Sequence, residues 1–216
     1  MKNRIINSVN DSLIATAQLK EPVSINFISE VASTMANCFR NQGKIIIAGN
    51  GGSLCDASHF AEELTGLFRA FRPALPAIAL SDPGHITCVG NDLGFDQIFS
   101  RGVEAYGNKN DIFIGLTTSG NSLNIVNAFN AAKKKGLTTV AFLGKCGGKL
   151  KGIADYELLI TGMATSDRIQ EAHMTAIHII IELVENLLFP NTSSHLNGQI
   201  ENDPILQYGV PLVQPV

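Results

Sequence analysis

The sequence predicts an α/β fold with a doubly wound parallel sheet, on three observations. Five short apolar runs rich in Ile, Val and Leu recur without strict alternation, the pattern of strands buried on both faces. Helical stretches separate them, so strand and helix alternate along the chain. Two loops rich in glycine and hydroxyls, Asn50-Gly51-Gly52-Ser53 and Thr117-Thr118-Ser119-Gly120-Asn121-Ser122, each leave a predicted strand and open a predicted helix. In open sheets of this kind, ligands bind beyond the carboxyl ends of the strands, where both loops sit.

Taken in order, residues 1–42 read as two helices. The second, near residues 25–41, has apolar spacing at Phe27, Val31, Met35 and Cys38-Phe39, and a stop at Asn41-Gln42-Gly43. Strands are predicted at 44–48, 75–80, 112–116, 138–143 and 156–160. Helices are predicted at 53–68, 95–106, 122–135 and 167–188. Lys133-Lys134-Lys135-Gly136 reads as a helix end, with lysines facing the negative end of the dipole and a glycine cap. Residues 1–189 are expected to form one domain. After Phe189-Pro190 the periodicity breaks, and residues 190–216 read as a tail whose apolar set Ile205-Leu206, Tyr208 and Val210 could strap it to its own domain or to a neighbouring subunit.

Composition narrows the function classes. The 216 residues are 45% hydrophobic, enough for one well-buried core. The net charge of −3, with no basic stripe, argues against nucleic acid and anionic membrane as partners. The four cysteines, Cys38, Cys55, Cys88 and Cys146, lack metal-ligand spacing and read as reduced cytosolic thiols. No signal peptide or transmembrane run is recognised, so a cytoplasmic location is expected.

The two loops suggest a ligand with a phosphate at one end. A helix start offers unpaired N–H groups and the positive end of a dipole, and Ser and Thr add donors. Taken singly, each loop reads equally well as a helix N-cap. Neither matches a dinucleotide or nucleoside-triphosphate fingerprint. On the following helix, His59 and Glu63 are four apart and share a face. The last helix carries Gln170 and His178, which could reach the same pocket. Two chemistries compete. Glu63 and His178 form a general acid–base pair beside a carbonyl, or His59, Glu63, Gln170 and His178 close around a divalent metal such as zinc. A buried interhelical hydrogen-bond network is the third alternative. His173 reads as structural. Asn91-Asp92 and Asp82 read either as sugar contacts or as turn and cap residues.

Gly49-Asn50-Gly51-Gly52-Ser53, His59-Phe60-Ala61-Glu62-Glu63-Leu64-Thr65-Gly66, Val89-Gly90-Asn91-Asp92, Thr118-Ser119-Gly120-Asn121-Ser122 and Asp167-Arg168-Ile169-Gln170-Glu171 with His178 together resemble the phosphoheptose isomerases of the sugar-isomerase (SIS) domain superfamily. The resemblance runs to about Phe189. It implies a three-layer αβα sandwich with a five-stranded parallel, flavodoxin-like sheet, in a cytoplasmic homotetramer. It implies conversion of sedoheptulose 7-phosphate to D-glycero-D-manno-heptose 7-phosphate through an enediol, the first step toward lipopolysaccharide core heptose, with no organic cofactor. By the same resemblance, Thr117, Thr118, Ser119 and Ser122 hold the phosphate. Asn50, Gly51, Gly52, Ser53, Asn91 and Asp92 contact the sugar. Glu63 and His178 do the acid–base work with Gln170 beside them, and members carry zinc at the positions matching His59, Glu63, Gln170 and His178. Leu67 departs from the pattern, since many members carry Arg there. The rival classes are a non-catalytic binding module of the kind that associates with the replication initiator, a sugar-phosphate sensor, and an isomerase of another sugar phosphate.

Overall fold

The computed structural model describes residues 1–69 and 71–191. The strapping expected of the tail at 205–210 lies outside those residues. Five strands form one all-parallel sheet in the order β2-β1-β3-β4-β5: β1 Ile45–Gly49, β2 Ala77–Ala79, β3 Ile112–Thr117, β4 Thr138–Gly144 and β5 Tyr156–Ile160. The order reverses between β1 and β3, and that switch point is where the two predicted cradles emerge.

Strand β1 is buried at every position, and so is β3. Successive side chains point to opposite faces, so each strand feeds two cores. Ile45, Ile47, Ile112, Ile114, Val140 and Phe142 pack under α1 (Lys2–Ala17), α2 (Pro22–Arg40), α3 (Gly52–Thr65) and α7 (Ser166–Leu188). Ile46, Ala48, Phe113, Ala141 and Leu143 pack under α4 (Pro83–Asp92), α5 (Ile98–Tyr106) and α6 (Leu123–Lys135). The result is the expected three-layer sandwich.

The structure differs from the sequence reading at several elements. Helix α4 was not anticipated. Its start signals are nevertheless present, with Pro83 in the first turn and Asp82 Oδ1 accepting the His85 N–H at 2.7 Å, but Gly84 and Gly90 dilute its apolar period. Strand β2 shrinks to three residues at the sheet edge, because Pro76 has no N–H to give the ladder. Helix α3 stops at Thr65 rather than near 68, where Gly66 takes the C-cap. Helix α6 ends as expected on Gly136, at φ +76°.

Candidate active site

The structure brings the two loops together. A cavity of about 150 Å³ at the carboxyl end of the sheet is lined by Asn50 and Ser53 from the first loop, and by Thr117, Thr118, Ser119 and Ser122 from the second. Gln170 and Ser166, both on α7, complete it with Leu116. The starts of α3, α6 and α7 border one small space, and the Ser122 side chain at the start of α6 makes no capping bond to its own helix. Their dipoles and the cluster of neutral hydroxyls favour an anion there without any Lys or Arg in the lining.

Close backbone approach makes this geometry possible. A Cβ on Gly49 would stand 2.3 Å from the Ser53 carbonyl oxygen, so the strand end and the helix start can meet only through a glycine. Gly120 adopts φ +66°, and a Cβ there would lie 1.8 Å from the Gly147 carbonyl oxygen. The loops are also cross-linked. Asn50 Nδ2 donates to Asn124 Oδ1 and Asn124 Nδ2 donates back to Asn50 Oδ1, each at 2.9 Å. Thr118 and Ser166 hydroxyls stand 2.9 Å apart, and Gln170 Nε2 donates to Ser53 Oγ at 3.1 Å.

Helices α3 and α7 leave this cavity side by side and meet again further along. The His59 Nε2–H donates to Glu63 Oε1 at 3.1 Å, and His178 Nε2 lies 3.5 Å from the same oxygen. The ligating atoms of His59, Glu63 and His178 all lie within 4.8 Å of one another. Glu63 is buried and its Oε2 has no hydrogen-bond partner. The two imidazoles meet edge to face, and the Phe68 ring stacks on His178 with centroids 5.8 Å apart and planes 19° from parallel. Glu63 and His178 are thus within reach of a common substrate in one chain. Gln170 and His178 are eight residues apart on α7, about 12 Å along the axis at the usual helical rise. That spacing separates the anion cradle from the carboxylate–imidazole couple.

A His₂Glu donor set is one that catalytic zinc uses while leaving a position open for water or substrate. The orphaned Glu63 Oε2 and the mutual spacing of the three side chains fit such an ion. Nearby, Asp56 lies one turn before His59, with its Oδ2 buried and unpartnered. Burial pushes its carboxyl up to about 6, and the neighbouring His59 offsets part of that.

Other predicted residues sit elsewhere. Gly51 and Gly52 form the α3 start, and a Cβ on Gly52 would press on the Gln170 amide at 2.8 Å. Asn91 and Asp92 end α4 exposed, bonded to each other at 2.7 Å and outside the cavity lining of this chain. His173 is fully buried, donating Nε2–H to the Leu143 carbonyl, and is structural as expected. Sequence reasoning missed Ser166 and Asn124. Ser166 repeats the signal of the two recognised loops, a hydroxyl at a helix start after a strand. Asn124 carries no local signal, since its partner Asn50 is distant in sequence.

The family model described as the SIS domain matches residues 12–144. A phosphoheptose isomerase of Fusobacterium nucleatum is 61% identical over 161 residues, covering 74% of this chain and 82% of that one. A phosphoheptose isomerase of Escherichia fergusonii is 49% identical over 182 residues, covering 84% and 95%. Among solved structures, a phosphoheptose isomerase from Neisseria gonorrhoeae superposes with a TM-score of 0.79 at 35% identity, covering 86% of this chain and 98% of that one. The chain belongs to the SIS domain family and, within it, to the phosphoheptose isomerases.

Proposed function

We propose that this protein isomerises sedoheptulose 7-phosphate to D-glycero-D-manno-heptose 7-phosphate, the first step toward lipopolysaccharide core heptose. The observation that carries the reading is one site with two ends, an anion cradle and a buried carboxylate held against an imidazole. The phosphate sits in the cradle, held by Thr117, Thr118, Ser119, Ser122 and the Ser166 hydroxyl. Asn50, Gly51, Gly52 and Ser53 serve the sugar hydroxyls. The heptose chain then extends along the α3–α7 groove and brings C1 and C2 to Glu63.

Glu63 takes the proton from C1 of the open-chain ketose. The C1–H electron pair forms the C1–C2 double bond of an enediol while O2 gains a proton. His178 moves protons at O1 and O2, and a proton returned to C2 leaves the carbonyl at C1. Nothing is oxidised or reduced overall, so no redox cofactor is required. His59, Glu63 and His178 would hold one zinc ion, while Gln170, whose amide donates to Ser53 Oγ, belongs to the cradle. Bound there, zinc would polarise the carbonyl and steady negative charge on oxygen.

Self-association is part of the proposal. Ile5, Ile6, Val9, Leu13 and Ile14 of α1 are each more than half exposed and form an apolar stripe that a second copy would cover. A homotetramer acting in the cytoplasm fits this, and among the described residues no helix is long and apolar enough to cross a membrane.

The test is an NMR time course with sedoheptulose 7-phosphate, with and without a chelator. Growth of aldose heptose 7-phosphate signals supports the reading, and loss of turnover on chelation supports the metal. Binding without conversion, in the presence of added zinc, would instead identify a sugar-phosphate sensor.

A further inference from the structure

Helices α3 and α7 meet at Glu63 and His178, but a third group ties them together just beyond. Arg72 follows α3 and its side chain is completely buried. Its Nε donates to Glu185 Oε1 at 2.7 Å. Its Nη2 donates to the backbone carbonyl of Glu63 at 2.6 Å, and its Nη1 donates to the Leu64 carbonyl at 2.8 Å. Glu185 lies on α7, seven residues after His178 and so two turns along nearly the same face. The second Glu185 oxygen accepts the Arg69 N–H at 3.3 Å, and Arg69 also pairs with Glu182.

A buried guanidinium is costly unless every donor is met. Here it meets a carboxylate on one helix and carbonyls in the last turn of the other. Those carbonyls have no partner within α3 and carry the negative end of its dipole. Only the planar fork of arginine spans such a set, because an ammonium is a single point of charge.

We propose that Arg72 is a positioning residue for the reaction. It grips the backbone of Glu63 itself and, through Glu185, the helix that carries His178. It thereby sets the separation at which the Glu63 carboxylate meets the imidazole. An ordinary fold brace would have no reason to act on the chemical step while sparing substrate binding. The inference rests on the isomerase reading for its kinetic test, and on geometry alone for a second one.

The experiment compares wild type with Arg72→Lys and with the double variant Arg72→Met/Glu185→Leu, which removes both buried charges together. Kinetics are measured with sedoheptulose 7-phosphate, and the His178 imidazole signals are followed by NMR on the same samples. The expected result is a kcat lowered roughly 10–100-fold in either variant, since a misplacement of about 1 Å costs on that order. KM should stay within about twofold, because the cradle at the far end is untouched. The His178 resonances should shift. If Arg72→Lys does not fold, the double variant carries the test. A kcat within about twofold of wild type in a folded variant, or a parallel rise in KM, overturns the proposal. If wild type itself converts no sedoheptulose 7-phosphate, the isomerase reading fails. Unmoved His178 resonances in the folded variants would then overturn the clamp on their own.

Discussion

The two ends of the site are built by opposite means. The cradle is made from turns and helix starts, with neutral hydroxyls and backbone N–H groups supplied by short contiguous segments. The acid–base end is made from side chains in helix interiors, where His59, Glu63 and His178 meet only because α3 packs on α7. One end is specified by backbone conformation and the other by tertiary contact. Binding and chemistry should therefore fail separately when each is damaged.

The largest effect is expected at the acid–base end. Glu63→Gln should lower kcat by about 10³-fold or more, in line with loss of a general base, while KM changes little. Steady-state kinetics check this, and an equal loss in binding would merge the two ends into one. At the cradle, Gly120→Ala forces an L side chain into φ +66° and against the Gly147 carbonyl. It should weaken phosphate binding by roughly 30–150-fold, the scale of about 2–3 kcal/mol for such backbone strain. Inhibition by inorganic phosphate reads that loss without reference to turnover.

Between the two ends, α7 carries His173, whose pKa burial lowers to about 4 from 6.5. The folded state then resists a proton that the unfolded chain accepts below 6.5. Stability from this group is complete above 6.5 and is lost as pH falls toward 4, by about 3 kcal/mol in total. Urea unfolding across that range should show the decline in wild type, and His173→Met should reduce it by about that amount. The smallest effect is expected for Ser166→Ala, which removes one cradle donor. KM should rise about three- to tenfold with kcat unchanged, the scale of one hydrogen bond.

The same contrast explains what could be read from the chain. Strands β1, β3, β4 and β5, the glycine stop at Gly136 and both loops are local patterns, and the structure places them as expected. Helix α4 escaped because its two glycines blur its period, although Asp82-Pro83 marks its start. Ser166 escaped because the last helix was expected to begin one residue later. The His59–Glu63 pair is visible as an i, i+4 step, but its meeting with His178 depends on how two helices pack. Arg72 and Glu185 are further still from sequence reading, for nothing local distinguishes them from surface charges. Asn91 and Asp92 read either as sugar contacts or as cap residues, and they stand exposed at the C-terminal end of α4, bonded to each other.

The most direct test of the two-ended site is isomerisation of sedoheptulose 7-phosphate in deuterated water by wild type and by Glu63→Gln, with substrate binding measured for both. The expected result is solvent deuterium at C2 of the aldose formed by wild type. The variant should bind the sugar phosphate normally yet give neither product nor exchange at C1. Undiminished labelling by Glu63→Gln would contradict the assignment of the carbon base and, with it, the division between a binding end and a chemical end.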